Sequence, residues 1–172
     1  MSVVVERAER LDESQLEELC SATALAVSDG GGFGWIATPT FEVLSAHWQS
    51  VLADPLRELF LARVGGEVAG SVQLARVGQS SESRRHGATV LALFVAPQYR
   101  RRGCASMLMR TLESYALTVG VRQLNLAVRQ SQTSALALYT ALGFQHWGTH
   151  PRYAYVDGGY IAGLHFDKLI AA

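Results

Sequence analysis

Residues 95–110 read VAPQYRRRGCASMLMR, which sets Arg100, Arg101 and Arg102 directly ahead of Gly103, Cys104, Ala105 and Ser106. If a helix starts at the glycine, its first N–H groups are unpaired and its dipole presents positive charge. Glycine and small side chains let a ligand approach that backbone, and guanidinium groups add charge-assisted hydrogen bonds, so the stretch suits a pyrophosphate. Taken alone, an arginine triplet is equally consistent with a solvated basic turn. No Gly-Lys-Ser/Thr follows, which excludes a Walker loop, and the spaced glycines of a dinucleotide fingerprint are missing. Cys104 raises a second chemistry, a nucleophile activated at a helix N-terminus. Opposing it, no histidine partner is identifiable, and a small residue there serves packing. Tyr139, in ALALYTALGF, combines a phenolic proton with helical spacing that would equally pack it on a core.

Composition limits what such a site can serve. The 172 residues are 49% hydrophobic, enough for one domain with a proper core and too few for two ordinary ones, so residues 1–172 are expected to form a single domain. Fifteen basic residues balance fifteen acidic ones, so anion recognition must be local rather than the result of a global field. Cys20 and Cys104 lack the spacing of a disulfide framework or a metal site, and no metal is expected. The amino terminus acquires acidic residues early, unlike a secretory signal, and no apolar run approaches a membrane span. A cytoplasmic protein with neither membrane nor nucleic-acid partner is the expectation.

The elements that must position these residues follow from periodicity. Residues 2–8 read as a strand, and Asp12 with Gln15 as a capping box before Leu16, Leu19, Thr23, Ala26 and Val27 at helical spacing. SDGGGFGWIATP breaks that helix. A second helix, opened by Pro39, carries Phe41, Leu44, Trp48 and Leu52 on one side. ELFLARV and EVAGSVQLARV form a hairpin across Gly-Gly. GQSSESRRHG reads as a surface loop, and ATVLALFVAP as a central strand buried on both faces. A helix from Gly103 to Leu117 places Cys104, Leu108, Leu112, Tyr115 and Ala116 on one stripe. RQLNLAVRQ is a strand, TSALALYTALGF a helix ended by Gly143, and FQHWG and YIAGLHFDKLI two late strands. The order β-α-α-β-β-β-α-β-α-β-β gives an α/β or α+β layer structure.

With those elements in place, two segments carry a family resemblance. RRRGCA, residues 100–105, resembles the Arg-x-x-Gly-x-Ala acyl-CoA-binding turn of the Gcn5-related N-acetyltransferases, and ALALYTALGF resembles that family's later helix, with Tyr139 and the closing Gly143-Phe144. Their order, with a strand between, strengthens the likeness. GGGFGWIA, SVQLARV and the tail GTHPRYAYVDGGYIAGLHFDKLI are similar to the group around the bacterial tabtoxin resistance protein.

The resemblance implies a mixed, mostly antiparallel sheet flanked by helices, with acyl-CoA bound where the fourth strand splays from the fifth. It implies acetyl transfer from acetyl-CoA to a primary amine of a small molecule, an amino-acid-like toxin or antibiotic being the acceptor it points to. Leu93, Phe94 and Val95 would offer main-chain groups to the pantetheine arm and thioester. Arg100, Arg101, Arg102, Gly103, Cys104, Ala105 and Ser106 would cradle the pyrophosphate, mostly through backbone N–H groups. Gln132 stands where many relatives have an asparagine contacting the cofactor, and Tyr139 would be the general acid that protonates or hydrogen-bonds the departing thiolate.

The base is the departure. Thr89 and Ala127 occupy positions where the resemblance leads to acids, leaving His86, Glu67, His146, His150 and Asp157 as candidates through water, each also readable as a solvated side chain. Phe33 and Trp35 are placed to wall the acceptor site, and Arg152, Tyr153 and Tyr155 either reach it or lie on a surface loop. Two other readings stay open: a peptide or protein N-acetyltransferase, and a CoA-binding regulatory module without catalysis. The resemblance fits a monomer or a homodimer.

Overall fold

The computed structural model describes residues 2–31 and 33–171. Its elements are β1 (Val3–Ala8), α1 (Glu13–Ser28), α2 (Phe41–Ala53), β2 (Arg57–Val64), β3 (Glu67–Arg76), β4 (Gly87–Val95), α3 (Cys104–Thr118), β5 (Gln123–Arg129), α4 (Thr133–Ala141), β6 (Gln145–Val156) and β7 (Gly159–Leu169). The element order is the one periodicity predicts. Seven strands form one sheet in the order β1-β2-β3-β4-β5-β7-β6. Pairing is antiparallel except for β4 with β5, which gives the mixed α/β architecture expected.

Local chemistry explains the boundaries. The Asp12 carboxylate accepts from Gln15 N at 2.8 Å and the Gln15 side chain accepts from Asp12 N at 3.1 Å, so the capping box starts α1. The cap of α2 is Thr40, whose hydroxyl accepts from Val43 N at 3.5 Å; Pro39 precedes the cap instead of entering the first turn. Gly65 and Gly66 both take positive φ, 64° and 94°, the geometry a two-residue hairpin turn needs to match strand twist.

The sheet is covered on two sides by different helices. On one side Cys104, Leu108, Met109, Leu112 and Ala116 of α3, with Tyr139 of α4, pack on Phe60, Val72, Leu74, Val90, Leu124 and Leu126. On the other, Leu19 and Cys20 of α1 and Leu44, Trp48 and Val51 of α2 pack on Leu59, Leu61 and Phe94. The buried stripe of α2 is thus Leu44, Trp48 and Val51, while Phe41 in its first turn is exposed. The buried Trp48 indole donates to Thr23 Oγ1 at 3.2 Å, satisfying a polar group that would be costly to bury alone. This second cluster takes nothing from β5, β6 or β7, so that half of the sheet is left open on the α1–α2 side.

Two expectations need correction. β6 continues to Val156 and turns into β7 at Asp157-Gly158, so Arg152, Tyr153 and Tyr155 sit on an edge strand and not in a surface loop. Its residues are largely exposed, which removes the apolar alternation that would reveal a long strand. The apolar run of β4 is also not buried throughout: Leu91, Ala92, Leu93 and Val95 are only half-buried, because β4 loses its neighbour there.

Candidate active site

The loss of that neighbour builds the site. β4 pairs with β5 only where Gly87, Ala88 and Thr89 face Gln123, Leu124 and Asn125, yet β4 runs on to Val95 and β5 to Arg129. Beyond Thr89 the two strands splay. On its other edge β4 slips against β3, since Ser71 faces Phe94 while Gln73 faces Leu91. One extra residue is therefore accommodated between Leu91 and Phe94, and Ala92 takes a positive φ of 50°. Gly70 permits this: a Cβ there would lie 2.2 Å from the Phe94 carbonyl oxygen. The expected cofactor residues Leu93, Phe94 and Val95 lie on this bulge, with Phe94 buried toward α1 and α2, and Leu93 and Val95 turned to the α3 side.

Two buried polar atoms flank the bulge without a hydrogen-bond partner among the described residues, Ser71 Oγ and Gln73 Nε2. Sequence reasoning passed over both, although polar residues inside an otherwise apolar hairpin strand were the available signal.

After β4 the chain makes a 3₁₀ turn at Pro97–Tyr99 and reaches Gly103, the cap residue of α3, at φ 83°. No side chain caps α3, so the N–H groups of Cys104, Ala105 and Ser106 are left to a ligand or solvent. The three arginines part company. Arg100, exposed, pairs with Asp29 and donates to the Val95 carbonyl at 3.3 Å. Arg102 lies over the Tyr99 ring, 5.7 Å from its centroid, and Arg101, at φ 63°, is exposed. The Tyr99 hydroxyl donates to Glu67.

Cys104 is buried with its Sγ 3.7 Å from the Tyr99 carbonyl. Burial pushes its thiol above the usual range, outweighing its own backbone hydrogen bond and the Arg102 charge. The activated-nucleophile reading is therefore corrected: Cys104 is a packing residue facing Leu108 and the core. Cys20 is likewise a free, buried thiol, pushed up to about 11 by burial.

Tyr139 is 7% exposed, packed edge-on to Phe144 at 5.8 Å and near Phe166 at 6.4 Å. Burial pushes its hydroxyl up to about 12, so it is a neutral phenol. Gln132 closes the start of α4, and its amide donates to the Gly30 carbonyl at 2.8 Å; Arg129 reaches the same oxygen at 3.2 Å. The glycine-rich loop thus crosses the mouth of the splay, with Phe33 5.1 Å from Phe94 and Trp35 5.0 Å from His47. Gly32 of that loop lies outside the described residues.

The suggested bases are dispersed. His86 sits beside the Ser83 carbonyl before β4, Glu67 holds Tyr99, His146 faces Phe166 on the α3 side, and Asp157 is in the β6–β7 turn. His150 accepts from Arg152 N at 3.2 Å on the edge strand. Among the described residues no group of three or more His, Cys, Asp or Glu side chains is arranged to hold a metal, and no helix is long and apolar enough to cross a membrane.

Known proteins share this family and fold. The acetyltransferase (GNAT) family matches residues 24–144. The chain is 43% identical over 130 residues to an uncharacterized N-acetyltransferase in the hisH-hisA intergenic region of Azospirillum brasilense, covering 76% of this chain and 77% of that one. It is 36% identical over 113 residues to the N-alpha-acetyltransferase RimI of Mycobacterium tuberculosis, covering 66% and 68%. In fold it is similar to yncA of Salmonella typhimurium, solved with its cofactor acetyl-CoA, at a TM-score of 0.81, 13% identity and coverage of 100% and 96%.

Proposed function

The chain belongs to the GNAT acetyltransferase family and is an N-acetyltransferase, and on that premise we propose that it moves the acetyl group of acetyl-CoA to the primary amine of a small, amino-acid-like molecule. The observation that carries the proposal is the β4–β5 splay running into the uncapped start of α3. An unpaired strand edge inside a sheet is costly to leave without hydrogen bonds, and the extended, amide-bearing pantetheine arm answers it as a strand would. The arm enters beside Leu93, Phe94 and Val95. The pyrophosphate meets the N–H groups of Gly103, Cys104, Ala105 and Ser106, with Arg101 and Arg102 supplying charge. Arg100 holds the turn to Asp29 and joins the phosphate site only by exchanging that partner. Gln132 contributes through its carbonyl oxygen or its second N–H, one N–H serving Gly30.

In the reaction the amine nitrogen attacks the thioester carbonyl carbon, the carbon–sulfur bond breaks, and the sulfur leaves with the electron pair. A main-chain N–H on the bulge stabilises the developing oxyanion, a contribution of about 3 kcal/mol per donor. Tyr139, neutral and buried, donates to the departing sulfur. Among the described residues Arg129, at the end of β5, lies on the open face by alternation and reaches the Gly30 carbonyl, and a cation there suits an amine carrying a carboxylate. That preference agrees with the group around the tabtoxin resistance protein.

The RimI relative favours a second reading, acetylation of a peptide N-terminal amine. Thiol release from acetyl-CoA, measured against amino acids, β-lactam amino-acid toxins, aminoglycosides, polyamines and short peptides, separates them. Turnover with the amino-acid-like set supports the proposal; turnover confined to peptides replaces it with the second reading. Acetyl-CoA binding with no turnover for any acceptor points to a binding module.

A further inference from the structure

We infer that His165, on β7, is the catalytic base that takes the place of the missing strand carboxylates; the inference rests on the acetyl-transfer reading above. It begins from the faces of the strands. Leu124, Leu126 and Val128 of β5 and Leu164 and Phe166 of β7 pack with α3 and α4, so by alternation Asn125, Ala127 and Arg129, with Gly163, His165 and Asp167, face the open α1–α2 side. Thr89 and Phe94 of β4 face the same way, Phe94 packing with α1 and α2.

Along β5, Asn125 is the last residue paired with β4, and Ala127 is the next one on the open face, at the point where the splay begins. The register partner of Ala127 on β7 is His165. A methyl group at Ala127 supplies no proton acceptor, whereas the imidazole of its register partner, one strand away, lies on the same face.

Neighbouring groups fix His165 and exclude rivals. Its ring is half-buried, 5.4 Å from Trp147 and 5.9 Å from Tyr153, the latter at an interplanar angle of 88°. Tyr153 is itself seated over Gly163, where a Cβ would come within 2.1 Å of the ring. His86 precedes β4, His146 packs on Phe166 of the α3 side, and His150 is on β6, one strand further from the splay, whereas the His165 ring has no hydrogen-bond partner among the described residues. Asp167 shares the face but aligns with Asn125, where β4 and β5 are still paired, and accepts from Gln123 Nε2 at 2.8 Å.

The protons then balance. The acceptor ammonium gives one proton to His165, directly or through one water, and the free amine attacks the acetyl carbon. The second proton released from nitrogen as the amide forms passes to the sulfur on the Tyr139 side, and the imidazolium returns its proton to solvent. The aromatic walls at Trp147 and Tyr153 would flank the acceptor on its way to the imidazole.

The test uses the acceptor that gives the fastest thiol release with the wild-type protein. His165→Ala and His165→Asn should lower kcat by about 100-fold, the scale of lost general base catalysis, with acetyl-CoA affinity unchanged by calorimetry. Added imidazole should restore part of the His165→Ala rate, and Ala127→Glu placed in that background should restore more, by returning a carboxylate to the splay. A kcat within threefold of wild type, or a loss that neither imidazole nor Ala127→Glu relieves, overturns the assignment while the wild-type turnover upholds the transferase. A wild-type protein without turnover overturns both.

Discussion

The Gln132 side-chain amide donates across 2.8 Å to the carbonyl oxygen of Gly30, although 102 residues separate the two. Together with Arg129 on the same oxygen and Arg100 on Asp29, it ties the loop between α1 and α2 to both banks of the β4–β5 splay. The loop that carries Phe33 and Trp35 is therefore positioned by residues of the proposed cofactor site, which joins the proposed acceptor wall to the proposed acyl-CoA groove.

Cutting one tie should loosen that wall without unfolding the protein. Gln132→Ala removes a part-exposed hydrogen bond worth about 1 kcal/mol, and the acceptor KM should rise about fivefold with little change in Tm. Steady-state kinetics with acetyl-CoA saturating measures this, and limited proteolysis should show faster cleavage in residues 29–35.

Tyr139 should act as a neutral donor over the whole working range. Its hydroxyl stands at about 12 against an ordinary value of 10.0, so the stability it contributes is intact below pH 10 and is lost as pH rises through about 12. Tyr139→Phe should lower kcat by about 10- to 100-fold while leaving the fold in place, and in urea titrations it should remove the Tyr139 share of the alkaline loss of stability between pH 10 and 12.

Gly70 should be intolerant of even one methyl group. A Cβ at that position meets the Phe94 carbonyl oxygen at 2.2 Å and Val95 Cα at 3.0 Å, both backbone atoms of the bulge. Gly70→Ala should cost about 1–3 kcal/mol in denaturant unfolding, as overpacking does, and raise the acetyl-CoA Kd more than tenfold by moving the main chain that receives the pantetheine arm.

His47 should make the protein acid-sensitive. Burial first, and then the charge of Arg57, hold its imidazole below the usual 6.5, and its Nε2 has no partner among the described residues. A depressed histidine contributes stability above its unfolded pKa that is lost as pH falls through the folded one, so Tm should drop as pH falls below 6.5. In His47→Leu that part of the decline should vanish, as followed by thermal melts across the range.

The turn at residues 100–106 is legible in sequence because its chemistry is local: arginines, a glycine and small residues state what the backbone offers. Tyr139 and Gly143 are legible for the same reason. The bulge is not, since Ala92 in an apolar run looks like any other strand alanine, and its positive φ follows from the register β4 must keep with β3. The diversion of Arg100 is set by Asp29, 71 residues earlier, which no motif records. His165 stands apart from every motif, because its place beside Ala127 exists only once β7 has inserted between β5 and β6. The full length of β6 is not legible, because its residues, mostly exposed on an edge, lack alternation.

The most direct test of the account is a calorimetric titration of acetyl-CoA into the wild-type protein and into Gly103→Val and Arg102→Ala. If backbone N–H groups at the start of α3 hold the pyrophosphate, wild type binds one equivalent saturably. A valine, strained at φ 83°, raises Kd at least 30-fold, and the single arginine loss raises it no more than about fivefold. Wild type that does not bind, or Gly103→Val that binds as well as wild type, contradicts the account.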